Sequence, residues 1–303
     1  MSGARAGLGE DWWRWGEGTA PTLAWNFATE APLVALRWAR ETGEVLAADA
    51  VGGMYQLDSS GRLTNLIRGP SPIRALSFSD TGGGGVALVG DDKLYWFNPQ
   101  LVFQGCLEHS EQAASIALDP HGEYAAVSLA DAEVVLYDCF RRRIRTFSTQ
   151  QPLIALEFIP TVAELIGVAE YGMLCRYSFT GSKVYQQPLY SNVGDLAVAR
   201  GGDVVLLACF SHGIQVHDET GEQVGSYQVG GTASRVAASY SGRKVAVVTM
   251  ERHFYLVDET GHVEWQAILP DDVCRIACDP LGHSVILGFQ SGHIARLDWP
   301  TSR

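Results

Sequence analysis

The feature that most constrains this 303-residue chain is a strict 40-residue repeat. Leu36, Leu76, Ile116, Leu156, Leu196, Val236 and Ile276 stand 40 residues apart without slippage. Met54, Leu94, Val134, Leu174, Ile214, Phe254 and Ile294 form a second unbroken apolar column. Self-similarity at this period marks a repeat architecture, in which each unit buries its apolar faces only by packing on its neighbours.

Two further columns consist of turn formers. Gly82, Gly122, Gly202, Gly242 and Gly282 hold one phase, broken only by Thr42 and Val162. Glycine supplies the positive φ that tight hairpin connections require. Asp58, Asp138, Asp218, Asp258 and Asp298 hold another, with Asn98 and Ser178 in the other two places. Such a residue at the end of a strand accepts a backbone N–H two residues on and so starts a turn. The motif Asp-x-x-Gly at Asp58–Gly61, Asp218–Gly221 and Asp258–Gly261 fits that role.

Each unit therefore reads as four short strands. In the second unit, strand a is Ile73–Phe78, b is Val86–Val89, c is Leu94–Phe97 and d is Val102–Leu107. Strands a, b and c are apolar at nearly every position, so both of their faces must be covered. Strand d carries Arg143, Arg145, Lys183 and Gln223, as suits an outer edge in water. A closed ring of such sheets leaves no apolar end face. The seventh unit supplies a (Val273–Cys278), b (Ser284–Gly288) and c (Ile294–Asp298), but no d. At the other end Leu23–Phe27 precedes the first strand a, and Trp25 lies six repeats before Trp265 of the sixth strand d. The expected fold is an all-β, seven-bladed β-propeller with four antiparallel strands per blade, spanning residues 22–299. Its last blade joins 22–28 to 270–299; residues 1–21 are a Trp-rich extension and 300–303 a C-terminal tail.

The segment Ile116–Ser128, followed by Val135–Asp138, resembles a WD40-type repeat, and the resemblance extends over about residues 22–299. The aspartate column falls where that family has its terminal Trp-Asp. The preceding residue here is Leu57, Phe97, Tyr137, Tyr177, His217, Val257 or Leu297, never Trp, and the d–a loops lack the family's Gly-His, with only His109 present. The chain is thus similar to a divergent member without the family's buried Trp–Asp–His network. The resemblance implies a rigid disc whose loop-bearing face and rim bind other proteins.

A net charge of −12 weighs against general binding to nucleic acid or an anionic membrane, both of which need a positive field. The strongest apolar stretch, Val204–Phe210, is strand-sized, and the N-terminus has no apolar signal segment. Cys106, Cys139, Cys175, Cys209, Cys274 and Cys278 follow no disulfide spacing and read as small buried hydrophobes in a reducing, cytoplasmic setting.

Signatures of chemistry are missing. There is no Gly-x-Ser-x-Gly, no phosphate-loop Gly-Lys-Ser/Thr and no His-Glu-x-x-His, and Gly82–Gly85 is an a–b turn. The strand-a positions expected to face the channel hold Arg37, Ser77, Ala117, Glu157, Ala197, Ala237 and Ala277, mostly alanine. No catalytic residue, cofactor or metal is expected.

Three surface features stand out. Arg74, Arg235 and Arg275 lie early in strand a, at the channel mouth on the face of the d–a and b–c loops. Around them are Asp49, Asp91, Asp92, Asp131, Glu170, Glu251, Asp271 and Asp272. Either these carboxylates pair with the arginines, or the arginines seat an anion or acidic peptide. Arg141, Arg142 and Arg143, with Arg145, form a solvated c–d hairpin or a dock for an acidic segment. Trp12, Trp13 and Trp15 either pack on their own propeller or grip another protein. The expected function is a non-enzymatic protein–protein interaction scaffold with one or more protein partners. The alternatives are a metal-dependent hydrolase, a quinoprotein-like oxidoreductase, or a small-anion sensor using the channel arginines.

Overall fold

The computed structural model describes residues 11–300. Seven antiparallel sheets stand around a central channel, each running outward from strand a to strand d. The innermost strands are Leu33–Trp38, Ile73–Phe78, Ala113–Leu118, Ala155–Phe158, Val193–Ala199, Ala233–Ala238 and Val273–Cys278, for blades 1 to 7. This is the seven-bladed β-propeller that the repeat predicts.

The hydrophobic core is divided into seven wedges, each shared by two neighbouring blades. Every member of the column from Met54 to Ile294 is fully buried in one of them. At roughly 1.5–3 kcal/mol for each side chain of this size, each member of the column contributes to the cohesion of its wedge. The wedge between blades 7 and 1 packs Ile286 and Ile294 against Leu33, Leu36 and Val45, so the ring is closed by side chains as well as by strands.

The turn columns behave as their chemistry requires. Asp218 Oδ1 accepts the N–H groups of Thr220 and Glu222 at 2.9 and 3.0 Å, and Asp258 Oδ1 those of Thr260 and His262 at 2.8 and 3.0 Å. Asn98 does the same with Gln100 and Val102. The residue three beyond each cap then takes a left-handed conformation, as in Gly221 at φ 81°. The pairing register shifts at that point, which makes each c–d connection a turn with a bulge. Leu101 and Arg141 fill this left-handed position in blades 2 and 3.

Closure uses the N-terminal segment twice. Thr22–Ala28 is the outer strand of blade 7 and pairs antiparallel with His293–Asp298, setting Leu23 opposite Leu297 and Phe27 opposite Ile294. Just before it, Glu17–Gly18 adds a short fifth strand to blade 6, beside Val263–Ile268. Two residues show no alternation, so this second tether has no sequence signal. Trp12 is 7% exposed and meets Phe289 edge-on at 5.8 Å, which pins the extension against blades 6 and 7.

One expectation fails for three cysteines, of which Cys274 is half-buried. All six are free, but Cys106 and Cys139 are exposed rather than buried, because one sits on an outer strand d and the other in a c–d turn.

Candidate functional site

The channel encloses a cavity of about 490 Å3, lined mostly by the strands a. Around most of it the lining is small or apolar, with Ala75, Ala117, Ala155, Ala197, Ala237 and Ala277 among the residues that keep the bore open. Polar side chains along this wall stitch neighbouring blades together. Ser77 Oγ accepts the N–H of Leu118 at 3.1 Å, Glu157 Oε2 that of Val198 at 3.1 Å and Asp195 Oδ2 that of Val236 at 3.2 Å. Ser115 Oγ donates to the Leu153 carbonyl at 2.6 Å, and Arg37 Nε to that of Leu76 at 3.1 Å. Each bond reaches a backbone group of the next blade, so the channel wall is a girdle of inter-blade hydrogen bonds.

Charge is distributed unevenly around the girdle. Arg235, Arg275 and Arg37 come from blades 6, 7 and 1, which are consecutive in the closed ring. Glu157 and Asp195 come from blades 4 and 5. Among the described residues no carboxylate lies within 4.0 Å of any of the three guanidiniums. Burial, with the neighbouring Arg275 charge next, lowers the pKa of Arg37. Burial also raises both carboxylates. Glu157 is pushed up to about 7 against the pull of Arg40 and Arg37, and Asp195 is raised against the pull of Arg235 and Arg275.

The two ends of the channel differ. On the a–b side, Arg40 pairs with Asp80 at 2.9 Å, and its guanidinium lies 4.6 Å from the centre of the Tyr240 ring, which reaches across from blade 6. The Tyr240 hydroxyl donates to Glu41 at 2.9 Å, tying blades 6 and 1 together over that mouth. The opposite face carries the b–c and d–a loops. There the b–c loop of blade 4 and the d–a loop that follows it are bonded together, Leu189 N–H to the Gly172 carbonyl at 2.8 Å and Val193 N–H to Glu170 at 3.1 Å. On this joined platform Tyr171 is 73% exposed and Tyr190 92% exposed.

The residues singled out in the sequence are distributed as follows. Arg235 and Arg275 are neighbours at the channel wall, as repeat arithmetic predicts. Arg74, one position out of phase with them, also lines the channel cavity but pairs with Asp91 at 2.6 Å. The loop carboxylates expected to neutralise the pair are engaged locally. Glu251 takes the N–H and hydroxyl of Thr232, Asp271 the N–H of Ser291, and Asp272 lies 3.9 Å from Arg252. Asp49 is buried and accepts the Tyr55 hydroxyl at 2.7 Å. Arg142 is held by Asp138 at 2.6 Å and Arg145 by the Thr180 carbonyl at 2.7 Å. Arg141 and Arg143 make no salt bridge among the described residues. Trp13 is half-buried beside Trp12, and Trp15 is 81% exposed. Sequence reasoning missed Asp195, and it did not join Arg37 to the arginine group; the phase it shares with Arg235 and Arg275 is the only signal for Asp195.

Among the described residues no group of three or more His, Cys, Asp or Glu side chains is placed to hold a metal ion, and no helix is long and apolar enough to cross a membrane. Compared with known proteins, the chain matches no family model and no curated protein.

Proposed function

We propose that this chain is a divergent WD40-like propeller, that it is not an enzyme, and that it holds other proteins on its b–c and d–a loop face. The observation that carries this reading is the tyrosine platform. Two tyrosines exposed at 73% and 92% stand on loops that are hydrogen-bonded to each other and anchored in a rigid blade. Tyrosine offers a large amphipathic contact at low entropic cost and is enriched at the centres of protein interfaces. Loops carried on a stiff scaffold are where binding surfaces concentrate.

The channel chemistry supports the non-enzymatic part. Ser77 and Ser115, the hydroxyls of the wall, are engaged in inter-blade bonds, and among the described residues no histidine lines the cavity beside them as a base. Burial raises the thiol of Cys278 well above its ordinary range, so it stays protonated. An acidic segment of a partner has a separate basic surface on the opposite face, where Arg141 and Arg143 stand in the c–d turn beside the 70%-exposed Phe140, whose ring Arg142 covers at 5.1 Å. Six free cysteines agree with a reducing, cytoplasmic setting.

The test is affinity purification with wild type and a Tyr171→Ala/Tyr190→Ala double variant. Because both side chains are exposed, the double variant should fold and melt like wild type. The reading expects at least one protein retained by wild type whose affinity drops by roughly thirtyfold or more in the variant. An unchanged set of bound proteins rejects this face as the docking surface.

A further inference from the structure

We propose that the channel is a binding site for a small oxyanion, the phosphate or carboxylate of a small molecule, held between Arg37, Arg235 and Arg275. This goes beyond the scaffold reading and is independent of it, since the site lies inside the ring and the tyrosine platform lies on its face.

Three observations converge. The first is placement. The three arginines come from blades 6, 7 and 1, so one arc of the wall is positive, and it opens on a cavity of about 490 Å3. That is room for a small molecule and not for a folded segment.

The second is unspent donor capacity. A guanidinium has five N–H groups in a planar fork suited to oxyanions. Arg235 uses Nε toward the Cys274 carbonyl at 3.0 Å and Nη1 toward Ser234 and Gly194 carbonyls at 2.7 and 3.5 Å. Arg275 uses only Nη1, toward the same Cys274 carbonyl at 2.8 Å, and Arg37 only Nε, toward Leu76. Among the described residues, both Nη groups of Arg37, Nε and Nη2 of Arg275, and Nη2 of Arg235 have no acceptor. Carbonyl oxygens hold the arginines in place without neutralising them.

The third is the charge balance. Beside the Arg40–Asp80 pair and Arg74, which is paired with Asp91, three guanidiniums share the wall with two carboxylates, and both carboxylates accept backbone N–H groups, of Val198 and Val236. Like charges this close repel in a partly desolvated wall unless an anion joins them. A single phosphate or carboxylate oxygen pair reaching the free Nη groups would supply charge-assisted bonds that the protein itself leaves unmade.

The experiment is isothermal titration of the full chain, exchanged into a buffer free of phosphate, sulfate and carboxylates, with inorganic phosphate, sulfate and succinate as separate probes. Melting temperature is read in parallel. The proposal expects saturable binding of at least one probe and a rise in melting temperature with its concentration. Phosphate and sulfate binding without succinate assigns a phosphate-type ligand, and the converse a carboxylate. In Arg275→Gln, whose side chain contributes one backbone bond, affinity should weaken by roughly tenfold or more, while Arg62→Gln, in the exposed c–d turn of blade 1, leaves it unchanged. Should Arg275→Gln fail to fold, Arg275→Lys keeps the charge and loses the fork, and it should still weaken binding. Absence of saturable binding of all three probes up to roughly 10 mM overturns the proposal, and so does equal binding by wild type and both Arg275 variants.

Discussion

Arg235 and Arg275 donate to one and the same oxygen, the carbonyl of Cys274, at 3.0 and 2.8 Å. Two positive groups on neighbouring blades are thereby held side by side by a neutral acceptor. Their nearest compensation in the wall is Asp195, which attracts both while accepting the N–H of Val236. Asp195→Asn removes that charge and keeps an acceptor. Because burial outweighs the pull of the two arginines on this carboxylate, the variant should be at least as stable as wild type in urea denaturation at neutral pH. A variant less stable than wild type would show that the arginines' attraction outweighs the cost of burying the charge.

Glu157 gives the fold a pH dependence with a definite sign. Its pKa is raised from 4.5 to about 7, chiefly by burial, with Arg40 and Arg37 pulling the other way and Asp195 adding to the rise. Between these values the folded chain keeps a proton that the unfolded chain has lost. The contribution is full below the lower value, and it is lost as pH rises through the upper one, by up to about 3 kcal/mol. Glu157→Gln keeps an acceptor for Val198 and removes the titration. Denaturation series across this range should show wild-type stability falling and the variant flat, with the variant the more stable on the alkaline side. Parallel profiles would contradict the assignment.

The N-terminal closure makes two contrasting predictions about tryptophans three residues apart. Trp12 is buried against Phe289, so Trp12→Ala should cost about 2–4 kcal/mol, whereas Trp15→Ala, at a side chain 81% exposed, should cost less than about 0.5 kcal/mol. Deleting residues 1–28 strips the partner from His293–Asp298 and bares an edge strand. Light scattering should show that this form associates. A monomeric truncation with unchanged melting would contradict strand closure.

The c–d turns predict a glycine effect at one defined place. Gly221 has φ 81°, and a Cβ there would lie 2.7 Å from the Tyr185 ring of the neighbouring blade. Gly221→Ala should therefore destabilise by about 1–3 kcal/mol or more, from backbone strain and the clash together. Thermal melting with no loss would refute the tight turn.

What could be read from the chain depended on whether the physics repeats. Buried columns and turn caps recur in every blade, so Met54 through Ile294 and Asp58 through Asp258 announce themselves by spacing. The same arithmetic places Arg235 beside Arg275. It gives no more than a shared phase for Asp195, because that phase holds Ala35, Ala75, Ser115 and Ala155 beside Arg235 and Arg275, and a single acidic residue carries no periodic signal. Arg37 is adjacent to Arg275 only because the ring closes, a relationship between the first and last blades that no local window contains. Which loop carboxylates pair with the arginines is not legible for a related reason: Asp91 does meet Arg74, but the others do not reach Arg235 or Arg275. Glu251 and Asp271 find backbone N–H groups within their own loop systems, and such local bonds compete successfully with a more distant guanidinium.

The central claim, that the loop face of this propeller binds a protein, is tested most directly by hydrogen–deuterium exchange on the chain alone and with a captured partner. The account predicts new protection confined to the loops around Tyr171 and Tyr190, residues 170–172 and 189–192, with the c–d turn at Arg141–Arg143 unchanged. Protection absent from those two loops in the complex, or appearing only on the opposite face, would contradict it.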